Sequence, residues 1–448
     1  MEIKKVKLLN LSITKLYGEL NYSVTFNDDI TFLYGDNGCG KTTILNILTY
    51  IITGKIYELF RYDFTTMELT YSSAQTGKKE KIKLLNDRVN NISVSYQDNV
   101  TLIESRKFEL SRNPEEAEEA EHFYFSEYPV LKHIKETFNY LYLPLNRNGN
   151  IHFDFPYNQR NRGIVHSRYF RGRNDEITLL GVESLISSAY SKRNFSLNNL
   201  NEQFSDDVLK SFLDVNNIPD PEEIVQYLVR LNETEIRQTQ SDYIKVLKTL
   251  GKWDNEIIEK VNLFFDSLFD YAEQAKKEDS PSFDLASLFK ISEILKIKKV
   301  IEKAEKIENS KKRAMKPVED FLNTVNRFID TPNNNKIINI ERDGTVVLKT
   351  STNKKISIYD LSSGEKQIIT FFAYLVFGLP NTNQSIFIVD EPELSLHLNW
   401  QRKFVDSILS INKNVQLIFA THSPEMIGKH RNKAVKLLPK NQDGVKNE

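Results

Sequence analysis

The sequence predicts an α/β fold in which a mixed sheet is flanked by helices and interrupted by a mostly helical insertion. Three observations predict this fold. A strand, a glycine-rich loop and a helix follow one another at residues 30–48, and apolar strands ending in polar residues recur near the C-terminus. Between these regions, apolar side chains of residues 176–330 keep helical spacing. We expect an N-terminal lobe at 1–150, a helical insert or short coiled-coil arm at 151–330 and a C-terminal lobe at 331–448.

Composition narrows the function classes. Hydrophobic residues are 40% and charged residues 27% of the 448 residues, which is ordinary for a soluble protein. The net charge of −1 means that nucleic-acid binding would need a local patch. Cys39 is the only cysteine, which excludes an intrachain disulfide and a Cys-x-x-Cys zinc site. We expect a cytoplasmic protein without a membrane partner, because Met1–Lys5 leads into no apolar signal core and the longest apolar run, 368–379, suits a buried helix.

The first element with a chemical signature is a loop after a predicted strand. Tyr22, Val24 and Phe26 alternate as in a half-buried strand, and a buried strand follows at 30–34. Residues 35–42 match the phosphate-binding pattern G-x-x-x-x-G-K-[ST] and lead into a helix. Glycines let backbone N–H groups turn toward a triphosphate at the positive end of that helix. A glycine-rich turn that matches by chance is the alternative.

This loop supplies the predicted nucleotide-binding residues. Lys41 is expected to reach the β- and γ-phosphates of ATP, and the Thr42 hydroxyl is expected to bind Mg²⁺. The full predicted set in this loop is Gly35, Asn37, Gly38, Cys39, Gly40, Lys41, Thr42 and Thr43.

The middle of the chain holds further predicted strands and one basic stretch. Strand-like segments occur at 66–71, 92–96 and 140–145, and the acidic run at 113–121 predicts a solvated helix or loop. No acidic residue lies between Asp154 and Asp175, where the arginines fall: Arg160, Arg162, Arg168, Arg171 and Arg173. This stretch suits nucleic-acid phosphates or an acidic, DNA-mimicking trigger protein, and equally a solvated or nucleotide-facing loop.

A second anion-binding element is predicted near residue 361. Short strands at 336–340, 345–348 and 356–358 precede a Ser-Ser-Gly turn at the start of an amphipathic helix. Free N–H groups and a hydroxyl at a helix N-terminus suit a γ-phosphate. The predicted contacts are Ser362, Ser363, Gly364 and Glu365. A plain helix N-cap remains the alternative.

Two more strands end in candidate catalytic residues. The apolar strand at 385–390 ends at Asp390, which we expect to hold Mg²⁺, and Glu391 after it is expected to polarise the attacking water. The strand at 415–421 is followed by His422. A lone histidine at a strand end is often structural, yet its place after the Asp390 strand favours a catalytic role.

Together these motifs resemble the ATP-binding-cassette (ABC) ATPase superfamily. Residues 35–42 resemble Walker A, residues 361–367 the signature, and residues 386–391 Walker B with its catalytic glutamate. Residues 395–397 lie where the family has its D-loop, and His422 where it has its switch histidine. The resemblance implies the ABC-ATPase P-loop fold, with the helical insertion between Walker A and the signature.

The wide separation of Walker A and signature resembles the branch of overcoming-lysogenization-defect, RecF and SMC-like ATPases. Within it, the layout is most similar to stand-alone ATPases of bacterial anti-phage systems of the Septu and PARIS kinds. The glutamine loop is not readable, and Asn146 and Arg147 are its best candidates. Few residues follow His422, so no Toprim nuclease is expected, and the single cysteine excludes a zinc hook.

The resemblance implies composite sites, in which the signature of one protomer caps ATP held by Walker A of another. A head-to-tail homodimer, or a larger ring, would follow. The first functional hypothesis is an anti-phage sensor ATPase that controls a separately encoded effector, typically a nuclease. The alternative is a RecF-like or SMC-like DNA-repair ATPase that binds DNA directly. The Asp390–Glu391 pair argues against a scaffold that hydrolyses little ATP.

Overall fold

The computed structural model describes residues 6–73, 77–106, 114–144, 174–213, 232–249, 254–277, 285–330, 336–379, 385–412 and 414–438. The chain divides into two compact units. Unit 1 comprises Met1–Ala189 with Glu319–Glu448, and unit 2 comprises Tyr190–Val318.

The strands of the described residues all belong to unit 1. In chain order they are β1 (Lys7–Leu16), β2 (Leu20–Thr25), β3 (Ile30–Tyr34), β4 (Thr66–Ser72), β5 (Lys79–Asn86), β6 (Asn91–Tyr96), β7 (Asn99–Glu104), β8 (Tyr140–Pro144), β9 (Lys336–Ile340), β10 (Val346–Thr350), β11 (Lys355–Ile356), β12 (Ser385–Asp390), β13 (Val415–Thr421) and β14 (Ala434–Lys436).

The α-helices occur in both units. In chain order they are α1 (Lys41–Ile52), α2 (Pro114–Glu127), α3 (Pro129–Thr137), α4 (Asn174–Leu213), α5 (Glu233–Thr249), α6 (Asn255–Lys277), α7 (Leu285–Ile329), α8 (Ser363–Ala373), α9 (Leu398–Ile411) and α10 (Pro424–Ile427).

A five-stranded parallel sheet forms the centre of unit 1. Its strand order is β14-β3-β13-β12-β8, so strands distant in sequence become neighbours. Every residue of β12 and β13 is buried, as are the first four of β3. Such burial is what continuous apolar strands need, because a parallel sheet is covered on both faces. The mixed α/β fold with a helical insertion is thereby confirmed.

Two antiparallel sheets complete unit 1. One has the order β2-β1-β4-β5-β6-β7 and contains the predicted alternating strands. The other has the order β11-β10-β9. Its first hairpin turns at Gly344, whose φ of 87° favours glycine. The predicted strand at 356–358 is partly wrong, because the strand ends at Ile356 and Ile358 begins a 3₁₀-helix whose N-cap is Ser357.

Aromatic side chains pack helices α8 and α9 against the central sheet. The Phe371 ring lies 5.0 Å from that of Phe387 on β12 and 4.5 Å from that of Phe404 on α9, measured between centroids. All three side chains are buried. Large buried aromatic rings contribute much of a core's apolar area, so this contact fixes where α8 begins relative to the strand ends.

One helix differs from the sequence expectation in detail, and another contains a proline. The buried helix predicted at 368–379 is α8 to Ala373 and continues as a π-helix over Tyr374–Gly378. Helix α7 runs through Pro317, although proline removes a helical N–H donor. None of the helices in the described part of the chain is long and apolar enough to cross a membrane.

Unit 2 is helical in its described residues and has its own core. Buried side chains of α5, α6 and α7 form one cluster: Ile236, Phe265, Leu268, Ala272, Ile291, Ile294 and Ile297. A smaller cluster joins Phe204, Val246 and Val300. The apolar spacing that predicted helices in this region is therefore the pattern of side chains that they bury.

Candidate nucleotide-binding site

The candidate site lies where three adjacent parallel strands end. In the central sheet β13 lies between β3 and β12. Ala420 pairs with Leu33 on one side and with Asp390 on the other. The Walker A loop, His422 and the Asp390–Glu391 pair therefore leave the sheet at the same edge, which is where open α/β sheets bind their ligands.

The Walker A loop has the backbone that its glycines predict. Gly38 and Gly40 have φ angles of 82° and 95°, in the left-handed region. A Cβ atom on Gly40 would lie 2.9 Å from the Tyr22 hydroxyl. That hydroxyl donates a hydrogen bond to the Cys39 carbonyl at 3.2 Å, so β2 supports the loop from below. Asn37 is exposed at the tip of the loop.

Lys41 is held inside the loop. Only 5% of the residue is exposed, and its Nζ donates to the Gly35 carbonyl at 3.0 Å and the Asp36 carbonyl at 3.1 Å. Its Nζ also lies 3.4 Å from His422 Nδ1. Carbonyl oxygens are weaker partners for an ammonium group than phosphate oxygens, so this side chain can exchange them for a phosphate.

Asp390 and Thr42 together have the chemistry of a magnesium site. Asp390 is 2% exposed, and burial and the neighbouring Glu391 and Glu393 charges raise its pKa to about 6, although a hydrogen bond from Thr42 opposes this. Its Oδ1 atom is buried without a hydrogen-bond partner in the described residues. A hydroxyl beside a buried carboxylate with an unused oxygen fits the hard, oxygen-binding Mg²⁺ ion.

Glu391 and His422 face each other across the ends of β12 and β13. His422 Nε2 lies 3.8 Å from Glu391 Oε1. Because Nδ1 faces the Lys41 ammonium, which can only donate, the hydrogen-bond network assigns the imidazole proton to Nε2, toward Glu391. Glu391 has a φ of 51°, a left-handed conformation for a non-glycine residue. Its N–H donates to the Ala420 carbonyl at 2.9 Å.

The signature residues begin helix α8 and are linked mainly to their own chain. Ser362 and Glu365 form a reciprocal capping box. Glu365 is 2% exposed and also pairs with Lys336 at 3.1 Å. Burial alone would raise the pKa of Glu365, but hydrogen bonds from Ser362 and the Lys336 charge hold it below its usual value. Glu365 thus has a capping role, and its contact with nucleotide stays a prediction.

The start of α8 packs on the turn after β12. A Cβ atom on Gly364 would lie 2.6 Å from the Ser395 carbonyl and 3.4 Å from the Trp400 ring. The Gln367 side chain donates to the Pro392 carbonyl at 2.9 Å. Ser363, which precedes Gly364, is exposed, as is the N-cap residue Ser362. The start of α8 therefore packs closely on this turn and leaves Ser363 exposed.

Some predicted residues lie outside the described part of the chain, and some contacts at the site were not predicted. Asn146, Arg147 and the stretch Arg160–Arg173 lie outside the described residues. Sequence reasoning gave no role to Glu393, Gln401 or Lys336. The capping role of Glu365 had a signal in the sequence, the S-x-x-E pattern from Ser362 to Glu365. The other contacts had none, because side chains brought together from separate elements leave no local pattern.

Comparison with known proteins supplies relatives. A family model described as "AAA domain, putative AbiEii toxin, Type IV TA system" matches residues 30–428. The Retron Vc95 probable ATPase of Vibrio cholerae serotype O1 biovar El Tor is 26% identical over 156 residues, 32% of this chain and 29% of that protein. The Retron Ec83 probable ATPase of Escherichia coli is 30% identical over 98 residues, 20% and 18% of the two chains. The matched segments span less than a third of either relative.

Among solved structures, the SMC head domain from Thermotoga maritima is 9% identical with a TM-score of 0.39, covering 97% of each chain. The Smc head domain of Pyrococcus furiosus with an extended coiled coil is 13% identical with a TM-score of 0.39, covering 97% of this chain and 96% of that one.

Proposed function

The chain belongs to this AAA-domain family, and we propose that it is an ATPase that binds ATP with Mg²⁺ and hydrolyses it. The convergence of Lys41, Asp390, Glu391 and His422 at the ends of three adjacent strands carries the proposal. A Lys in a glycine-rich loop, a buried carboxylate and a second carboxylate beside it are the groups that phosphoryl transfer to water requires.

Each residue has a defined task in this reaction. The Walker A N–H groups and Lys41 bind the phosphates, and Thr42 and Asp390 would hold the metal. Mg²⁺, when bound, neutralises charge on the phosphate oxygens. Glu391 accepts a proton from the water whose oxygen attacks the γ-phosphorus, while the bond to the departing ADP oxygen breaks. His422 Nε2–H, facing Glu391, orients that carboxylate toward the water.

The proposed site is completed by a second copy of the chain. Ser363 and Gly364 lie at the N-terminus of α8, and Ser363 is exposed while Ser362 and Glu365 are linked within their own chain. An exposed hydroxyl at a helix N-terminus favours an incoming phosphate. In a head-to-tail homodimer, or a ring built by the same contact, ATP on Walker A of one protomer would meet this surface of another.

The proposed biological role is a sensor ATPase of an anti-phage system, of the Septu or PARIS kind, that controls a separately encoded effector nuclease. The family description names a toxin and a type IV TA system, and the relatives are named as retron ATPases. Co-purification of the protein with the product of its neighbouring gene, with and without ATP, tests this role. Binding of plain duplex DNA in the absence of any such partner would instead favour the DNA-repair alternative.

A mixing experiment tests the composite site. Lys41→Ala disables Walker A, and Ser363→Arg disables the signature, so each variant alone should turn over little ATP. In an equal mixture, random pairing restores one intact site in half of the dimers, about a quarter of the wild-type sites. Failure of the mixture to regain turnover would contradict sharing between protomers, while ATP hydrolysis by the wild type would stand on its own.

A further inference from the structure

The turn after β12 is tied to the turn after β13 by a carboxylate that the proposed reaction does not use. Glu393 Oε1 accepts a hydrogen bond from the backbone N–H of His422 at 2.6 Å. Its Oε2 atom is buried without a hydrogen-bond partner among the described residues. A buried, unsatisfied carboxylate oxygen costs free energy, so stability alone does not account for a glutamate here.

A second tie runs through Gln401, which lies in the first turn of α9 and is 8% exposed. Its Nε2 donates to the Leu396 carbonyl at 2.9 Å, in the turn after β12. Its Oε1 accepts from the Ser423 hydroxyl at 2.6 Å, directly after His422. The amide thus donates to one turn and accepts from the other, so it fixes the position of the two turns relative to each other.

These ties fix the backbone from which the His422 ring extends. Glu393 holds the His422 N–H, and Gln401 holds the next residue, Ser423. The ring then lies with Nε2 at 3.8 Å from Glu391 and Nδ1 at 3.4 Å from Lys41. A misplacement of about 1 Å in such a group is enough to cost up to ~100-fold in rate.

We propose that Glu393 and Gln401 are positioning residues that hold His422 between Glu391 and Lys41. The kinetic part of this inference rests on the proposed ATPase function, whereas the structural part does not. Neither side chain touches the reacting atoms. Both act through the backbone of the segment that carries His422.

Hydrogen–deuterium exchange of the full-length protein without nucleotide tests the structural part. Glu393→Ala should speed exchange in peptides spanning residues 391–397 and 421–428, while peptides from β3 and β4 stay protected. Glu393→Gln keeps an acceptor oxygen for the His422 N–H and should restore protection. Gln401→Ala should act on the same two segments, and Asn399→Ala, an exposed position on the same helix, is the matched control. Unchanged exchange in both variants would overturn the proposal.

Kinetics test the consequence. Glu393→Ala should lower kcat by about 10- to 100-fold with KM for ATP nearly unchanged, because the Walker A contacts remain. Glu393→Gln should recover most of that loss. In a His422→Ala background, Glu393→Ala should cost no more than about twofold, since residues that act through one group are non-additive.

The two readouts separate the two claims. Full additivity with His422→Ala would overturn the positioning role. If the wild-type protein shows no ATP turnover, or turnover that does not depend on Glu391, the proposed ATPase function is refuted. The exchange data would still decide whether Glu393 and Gln401 hold the segment that carries His422.

Discussion

The Walker A region and the signature region differ in how completely their polar groups are paired within the chain. At the strand ends, Lys41 relies on loop carbonyls, and Asp390 keeps a buried oxygen with no partner in the described residues. At the start of α8, Ser362 and Glu365 satisfy each other, and Lys336 adds its charge. The first region has polar groups that can still bind a ligand, whereas most polar groups of the second region are already paired within the chain.

This difference indicates which region changes when ligand binds. Unused charge at the strand ends is costly until a phosphate or metal satisfies it, so these side chains should rearrange. The capped start of α8 is pre-organised and should dock as it is, which reduces the entropy lost on binding. The predictions below test this contrast, from the largest expected effect to the smallest.

The largest effect should come from Glu391→Gln. An amide cannot accept the proton of the attacking water, so ATP turnover should fall by about 10²- to 10⁴-fold while ATP binding persists. Steady-state phosphate release and equilibrium nucleotide binding measure the two parts. Glu425→Gln, at an exposed ion pair with Arg402, is the control. Turnover that survives Glu391→Gln would mean that the assigned base is wrong.

A smaller effect should come from Gly364→Ala in the signature region. The added Cβ would lie 2.6 Å from the Ser395 carbonyl, so the turn after β12 or the helix start must shift. We expect turnover to fall by roughly tenfold, with ATP affinity of Walker A little changed. Ser363→Ala tests the hydroxyl separately, because it adds no atom. Wild-type turnover in Gly364→Ala would show that the close packing is not needed.

Stability against pH gives a subtler test of the capped region. The pKa of Glu365 is lowered in the folded protein, so its ionised form stabilises the fold above the usual glutamate pKa of 4.5. This contribution is lost as pH falls through the folded-state pKa. The difference in free energy of unfolding between wild type and Glu365→Gln should therefore stay constant from about pH 7 down to the usual glutamate pKa of 4.5 and shrink as the pH falls below that value.

Urea unfolding at several pH values measures that difference. Glu319→Gln, at an exposed glutamate of α7, shows what removal of a glutamate charge does by itself. A difference between wild type and Glu365→Gln that is independent of pH would contradict the lowered pKa.

The mildest test uses Cys39, the only thiol of the chain. Its Sγ lies 3.7 Å from Lys41 Nζ inside the Walker A loop, and the residue is half-buried. Nucleotide on the loop should slow alkylation of this thiol, as followed by intact-protein mass spectrometry. Lys41→Ala should abolish the protection. ATP-independent labelling of the wild type would place the nucleotide elsewhere.

The strands at the site could be predicted because their signals are local. Residues 30–34, 385–390 and 415–421 are mostly apolar, and the Walker A loop, the Asp390–Glu391 pair and His422 lie at their ends. Their adjacency in the order β3-β13-β12 could not be predicted, because strand order is set by contacts between distant segments.

The contacts that hold the site were beyond sequence reasoning for a related reason. Tyr22 was predicted only as a half-buried strand residue, yet its hydroxyl supports Cys39. Glu393 lies in a turn and Gln401 in an amphipathic helix, and neither position has a local sequence pattern that indicates its hydrogen-bond partner. The left-handed φ of Glu391 has no residue signature either, because glycine is the usual choice there.

The packing of Trp400 beside Gly364 makes the signature surface observable by intrinsic fluorescence. Its ring lies 3.4 Å from the position of a Gly364 Cβ and 6.0 Å from the Phe328 ring, centroid to centroid. The chain has two tryptophans, and Trp253 lies outside the described residues. Trp253→Phe would leave a single emitter beside the signature. A stopped-flow trace of that emission after addition of ATP would time the proposed docking of two copies without any attached label.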